Sequence, residues 1–254
     1  MPDRKRPESL EGRWDLLYRD YPAVYEEFGR IPKTPDLIDV IAERFPLSGQ
    51  TVADVGSGTG LSTFKLARYA VQVIGVEIEP SMIAVARESA LDLGVENVRF
   101  ELGDAAHLPL ENRSVDAAIA ITLADRDVRA TAAEMARVVR PGGLVLRADV
   151  APGWYGGDLN PIITGQPRDE TPVPGSRDAL LTELGYEMLD VFLDQDYGSV
   201  ERLVRTYGFI HSKRVIDHCR ENRITTIRWK FRARFKVISS TRTAGPVSTK
   251  RGCR

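Results

Sequence analysis

A chain of 254 residues that is 43% hydrophobic and 28% charged carries enough apolar side chain for one sizeable core, which excludes a disordered or low-complexity chain. Cys219 and Cys253 belong to no Cys-x-x-Cys or Cys/His cluster and no apolar run approaches about 18 residues, so a disulfide scaffold, a zinc domain and a membrane span are excluded and a cytoplasmic protein is expected. The net charge of −1 conceals an asymmetry: residues 1–199 sum to −13 and residues 200–254 to +12, so the basic end either neutralises the acidic body or contacts an anionic partner.

Residues 1–46 hold Trp14, Tyr18, Tyr21, Tyr25 and Phe28 on short helices interrupted by Pro22, Pro32 and Pro35, and are expected to form an aromatic cap. Between residues 50 and 150 short apolar runs alternate with helical segments, the pattern of β-α-β units around a parallel sheet. Strands are expected at 51–55, 71–76, 98–102, 115–121 and 144–149. Pro80 opens and Gly94 closes a helix carrying Met82, Ile83, Val85, Ala86 and Leu93, and a second helix over 126–140 is stopped by Pro141-Gly142-Gly143. Five prolines and five glycines predict an irregular loop over 151–176. A helix at 176–184, a strand at 186–193, a helical insertion at 199–222 and a last strand at 225–238 follow, with 239–254 expected as a disordered basic tail. Residues 47–238 would then form one domain carrying that insertion.

The chemistry is concentrated at Asp54-Val55-Gly56-Ser57-Gly58-Thr59-Gly60, a strand end followed by a glycine-rich turn and a helix. Glycines here let the chain turn sharply and let a ligand approach the backbone. In an open parallel sheet such a turn lies at the carboxyl edge, where ligands bind. The dinucleotide fingerprint is Gly-x-Gly-x-x-Gly, whereas this turn reads Gly-x-Gly-x-Gly with Leu61 at the third glycine's place. An acidic residue two positions before the first glycine favours a ligand bearing positive charge over a diphosphate, and so S-adenosylmethionine over a nicotinamide cofactor.

This segment resembles motif I of the class I S-adenosylmethionine-dependent methyltransferases, and the core as a whole is similar to their type 11/25 domain. The resemblance spans about residues 50–150 and implies a doubly wound, Rossmann-like α/β sheet of seven strands in the order 3-2-1-4-5-7-6, mostly parallel with an antiparallel last strand. It implies that Asp54, Gly56, Ser57, Gly58, Thr59 and Gly60 serve the donor, and that Glu77, in Gly75-Val76-Glu77-Ile78-Glu79-Pro80, bonds the ribose hydroxyls. A carboxylate suits that task because its two oxygens accept both donors at once. Asp104 would receive the adenine amino group, and Ile78, Met82, Ala105 and Thr122 complete the expected cofactor-binding set. Asp116 and Glu79 read as structural charges, and His107 as a packed or capping residue.

Methyl transfer needs alignment more than a fixed triad, so no catalytic residue is assigned. Asp125, Asp127 and Asp149 are the carboxylates near the ligand edge that could act as a base, each more readily read as a helix cap or strand-end charge. No Asn/Asp-Pro-Pro-aromatic motif and no Pro-Cys pair marks a base methyltransferase; Asn160-Pro161-Ile162-Ile163 lacks the second proline. A small-molecule acceptor is expected, with Trp154, Tyr155, Tyr18, Tyr21 and Tyr25 as pocket walls. The last strand places Arg228, Lys230, Arg232, Arg234 and Lys236 on one face. Pairing with Asp190, Asp194 and Asp196 would make that face structural, and exposure would favour RNA contact through residues 200–254. A non-catalytic donor-binding domain is the other alternative.

Overall fold

The computed structural model describes residues 7–13, 16–17 and 20–239. Trp14, Tyr18, the side chain of Tyr25 and the 240–254 tail lie outside the described residues. Helix α1 (Pro22–Arg30), strand β1 (Lys33–Thr34) and α2 (Leu37–Arg44) precede the core. The core runs β2 (Thr51–Val55), α3 (Leu61–Leu66), β3 (Gln72–Glu77), α4 (Pro80–Leu93), β4 (Val98–Leu102), β5 (Val115–Ile121), α5 (Val128–Val138) and β6 (Val139–Val150). A 3-10 turn (Gly157–Leu159), α6 (Asn160–Thr164), α7 (Arg177–Glu183), β7 (Glu187–Asp196), α8 (Val200–Leu203), a π turn (Val204–Gly208), α9 (Lys213–Glu221) and β8 (Thr226–Val237) complete the described chain.

One sheet orders the strands β1-β7-β8-β6-β5-β2-β3-β4. Strands β4, β3, β2, β5 and β6 pair in parallel, and β8 is antiparallel to both β6 and β7. The seven expected strands thus appear in the expected order, with an antiparallel last strand. An eighth joins them: β1 pairs Lys33 with Gln195 and Thr34 with Asp194 on the outer edge. Prolines at 32 and 35 confine it to two residues and to an edge, which is why the sequence hid it. The expected 126–140 helix is shorter at both ends, because Asp127 caps it and the chain returns to the sheet at Val139.

Both faces of the sheet are covered, so its central strands read as apolar runs rather than alternations. Ile41 of α2 and Leu66 of α3 pack on Val52, Val73, Ile119 and Leu146, together with Trp229 and Phe231. On the opposite face Met135 and Val138 of α5 and Leu181 of α7 pack on Ala53, Val55, Ala118 and Val145. Pro80 at the start of α4 and Gly94 in the left-handed conformation at its end bound that helix as the sequence predicts.

The basic face of β8 is turned into a charge ladder. Arg232 is held by Asp190 directly opposite (2.7 and 3.0 Å) and by Asp178 of α7 (2.9 Å). Arg234 pairs with Asp178, and Lys230 with Glu170 and Asp190. Arg228 reaches Asp194 only at 3.8 Å, and Lys236 donates to the Leu184 carbonyl. Asp196 takes no part; it accepts the Gly198 N–H. The described cations of β8 are therefore partnered, which removes the exposed stripe on which RNA contact depended.

The N-terminal segment is joined to the sheet through a buried amide. Gln195 donates from Nε2 to the carbonyls of Phe28 and Ile31, and its Oε1 accepts from Tyr197 Oη and Trp229 Nε1. Phe28 packs edge-on to Trp229, while a Cβ on the next residue, Gly29, would lie 3.9 Å from Leu61 Cδ1. Helix α1 thus spans from β8 to the start of α3 along the carboxyl edge.

Candidate functional site

The glycine turn follows the central strand β2 and is tied to its neighbour, with Gly56 and Ser57 N–H donating to the Val76 carbonyl. Gly56 has φ +78°, and a Cβ there would meet Leu123 Cδ1 at 2.5 Å. A side chain at this position is therefore refused by backbone conformation and by its neighbour alike. Gly60 (φ +90°) caps α3, and a Cβ on it would strike the rings of Phe64 and Phe100. Gly58 differs: a Cβ would find only Met82 Sδ, at 4.0 Å, so the middle of the turn is open toward α4.

Three carboxylates stand around this turn. Asp54 is fully buried behind it, accepting from Ser62 Oγ (2.7 Å) and Thr63 Oγ1 (2.6 Å) of α3. Burial pushes its carboxyl up to about 6; the two hydroxyls oppose the shift and the nearby Glu77 charge adds to it. Asp54 has no surface for a ligand, so it shapes the turn from behind. Glu77 closes β3; its Oε2 accepts the Gly58 N–H (2.9 Å) and its Oε1 the N–H groups of Ile78 (2.8 Å) and Glu79 (3.1 Å). It therefore fixes the turn's open residue as well as presenting charge at the edge. Asp104 is exposed after β4, where its Oδ1 accepts the Ala106 N–H. His107 is exposed and bridges back to Asp104 rather than packing. Ile78 and Met82 expose apolar surface beside Glu77, and Thr122 stands exposed at the end of β5.

This donor set suits an adenosyl sulfonium better than a diphosphate. The turn is edged by Glu77 and Asp104 and backed by Asp54, and among the described residues Ser57 Oγ within the turn is buried without a hydrogen-bond partner. Acceptor capacity without an adjoining cation favours a positively charged guest. Among the described residues no cluster of His, Cys, Asp and Glu could hold a metal ion, and no helix is long and apolar enough to cross a membrane.

The carboxylates considered as a base are engaged elsewhere. Asp127 caps α5 by accepting the Ala130 N–H. Asp125 is gripped by Arg147 at 2.6 and 3.1 Å; burial raises its pKa, but the hydrogen bonds and charge of Arg147, with Thr131 and Arg177, outweigh this and hold it low. Asp149 pairs with Arg177 (3.1 Å), yet burial keeps its carboxyl above the usual range. Asp116 accepts from the Thr51 N–H and Arg140 at the opposite edge.

The expected aromatic walls divide. Trp154 is buried beside the β8 ladder, under Arg168 (3.6 Å) and donating to Glu170. Tyr155 is half exposed and meets His211, which lies 4.5 Å from the Tyr207 ring; burial depresses the His211 imidazole to about 4, so it is neutral. Tyr21 packs edge-on to Phe209. Asn160 donates to the Tyr155 carbonyl at the start of α6, a turn role. Sequence reasoning missed Leu123 and Arg147. An arginine inside an otherwise apolar strand was the available signal for the second.

A family model described as a methyltransferase domain matches residues 52–143, the stretch from β2 to β6 that builds this edge. This core is that of a class I S-adenosylmethionine-dependent methyltransferase. The chain is 36% identical over 153 residues to the arsenite methyltransferase of Halobacterium salinarum, covering 56% of this chain and 39% of that one. It is 30% identical over 175 residues to the O-methyltransferase cnsE of Penicillium expansum, covering 63% of each. The chain thus spans less than two thirds of the length of these curated relatives. In fold it is similar to a Haemonchus contortus N-methyltransferase crystallised with phosphomonomethylethanolamine and S-adenosylhomocysteine, with a TM-score of 0.57, 18% identity, and coverage of 89% of this chain and 60% of that one.

Proposed function

We propose that this chain transfers a methyl group from S-adenosylmethionine to a small-molecule acceptor by in-line displacement, leaving S-adenosylhomocysteine. The observation that carries this reading is the open glycine turn held by Glu77 and edged by carboxylates, in a core of the methyltransferase family. When bound, the donor supplies a methyl group already activated on a sulfonium. Ser57, Gly58 and Thr59 would receive its amino-acid end, Glu77 its ribose, Ile78 and Met82 the flanks of its adenine, Asp104 and Ala105 the adenine edge, and Thr122 the approach to the sulfur. Gly56 and Gly60 give the turn its path, and Asp54 braces it.

What remains for the chain is alignment and exclusion of water, worth up to about 7–11 kcal/mol of barrier. Helix α1, whose Gly29 lies beside Leu61 at the start of α3, is the element placed to cover the edge on the acceptor side. Because Asp125, Asp127 and Asp149 all hold other partners, the reading favours an acceptor that arrives with its lone pair available rather than one needing a strong base. The arsenite and O-methyl acceptors named for the two relatives differ from each other, so neither is carried over.

Calorimetric titration with S-adenosylhomocysteine tests the reading. The wild type should bind, and Glu77→Ala, which removes charge-assisted hydrogen bonds at the turn, should weaken binding by about 10- to 100-fold. Absence of binding to the wild type would overturn the assignment. Labelled methyl donor incubated with a small-molecule extract should then place label in a low-mass product.

A further inference from the structure

Arg147 lies between Leu146 and Ala148 in β6 and is 1% exposed, outside the β8 ladder. Its Nη1 donates to Asp125 Oδ2 at 2.6 Å, and its Nη2 to Asp125 Oδ1 at 3.1 Å and to the Leu123 carbonyl at 3.2 Å. The Asp125 side chain is 4% exposed and is approached by Arg177 at 3.4 Å. Apolar residues of similar volume usually support a fold as well as such a pair does, because two charges must be taken out of water to form it. Stability alone therefore gives no reason for the pair.

Its position supplies one. The chain leaves β5 through Thr122, which adopts φ +51° and donates its N–H to the Ala148 carbonyl at 2.8 Å. Three residues on, Asp125 is gripped by Arg147, so strand β6 holds both ends of the 122–125 segment. Between these holds Leu123 is pressed on Gly56, filling the space a Cβ would need there. The geometry points to Arg147 as a positioning residue: through Asp125 and the Leu123 carbonyl it holds Leu123 against the glycine turn and so sets the turn's shape without touching the donor. This inference rests on the donor reading above.

Three measurements on the full chain test it: urea unfolding, amide hydrogen exchange at residues 122–124 of the free protein, and titration with S-adenosylhomocysteine. Arg147→Met/Asp125→Leu removes both charges together and should unfold at or above the wild-type urea concentration. Its 122–124 amides should nonetheless exchange at least tenfold faster, and its Kd for S-adenosylhomocysteine should rise at least tenfold. Arg147→Lys, which keeps the charge but not the fork, should fall between. Arg177→Met, which touches Asp125 but not Leu123, should bind within twofold of wild type. A stable double variant with wild-type exchange and affinity overturns the inference, as does an Arg177→Met loss equal to that of the double variant. Should the double variant not fold, Arg147→Lys decides by the same readouts, wild-type values again overturning the inference. A wild type that fails to bind sinks the donor reading instead, and exchange at 122–124 still tests the anchor.

Discussion

Burying Asp54 completely lifts its carboxyl to about 6 from the 3.8 of the solvated group, even with two hydroxyls donating to it. Between those values the folded chain keeps a proton that the unfolded chain has lost. The stability linked to this group is thus fully present below about pH 4 and is lost as pH rises through 6. Asp54→Asn removes the titration, so the wild type should lose about 2 kcal/mol relative to the variant between about pH 4.5 and about pH 7.5. Urea unfolding of both proteins at the two pH values measures this; a difference that does not move with pH would show an ordinary carboxyl. At this scale the turn was legible in the sequence, because glycines and acids at fixed offsets mark a strand end that turns sharply into a helix. The support behind it was not. Leu123 and Arg147 act on Gly56 from 67 and 91 positions away in sequence, and an arginine in a strand gives no hint of which loop it grips.

Among the elements, β8 shows how one alternating pattern can carry charges of unequal consequence. Arg232 is 10% exposed and bound by two carboxylates, whereas Arg228 is 57% exposed and meets Asp194 only at 3.8 Å. Arg232→Ala should therefore cost about 2–4 kcal/mol by leaving Asp190 and Asp178 underpaired, and Arg228→Ala less than about 1 kcal/mol. Urea midpoints of the two variants give the comparison, and equal losses would contradict the ladder. Half of this ladder could be read in advance, since antiparallel neighbours place Asp190 and Asp194 opposite the cations. The other half comes from α7 and the loop before it. Asp178 caps nothing and reads as a surface helix charge, and Glu170 lies in a proline-rich stretch with no period to orient it.

Over the whole molecule, the N-terminal segment depends on one amide. Gln195→Ala would strand the Trp229 and Tyr197 donors and the Ile31 carbonyl in a dry interior, at about 1–3 kcal/mol for each group left unsatisfied, and would release the part-buried hold on Phe28. Limited proteolysis should then cut within residues 20–36 faster than in the wild type while β2 to β6 stay protected, and unchanged cutting would show that the segment is held by other contacts. Nothing in the sequence marked Gln195 as a fastening for the N-terminal segment, because a glutamine in a strand resembles any solvent-facing polar residue. Four of the five cations of β8 meet carboxylates from β7, α7 and the preceding loop of the same chain, so this face of the sheet is largely its own counter-ion. Opposite charges that would each project far into solution collapse into short dipoles. Added electrolyte then has little field to screen along this face, and what the ladder contributes to stability should be almost indifferent to ionic strength.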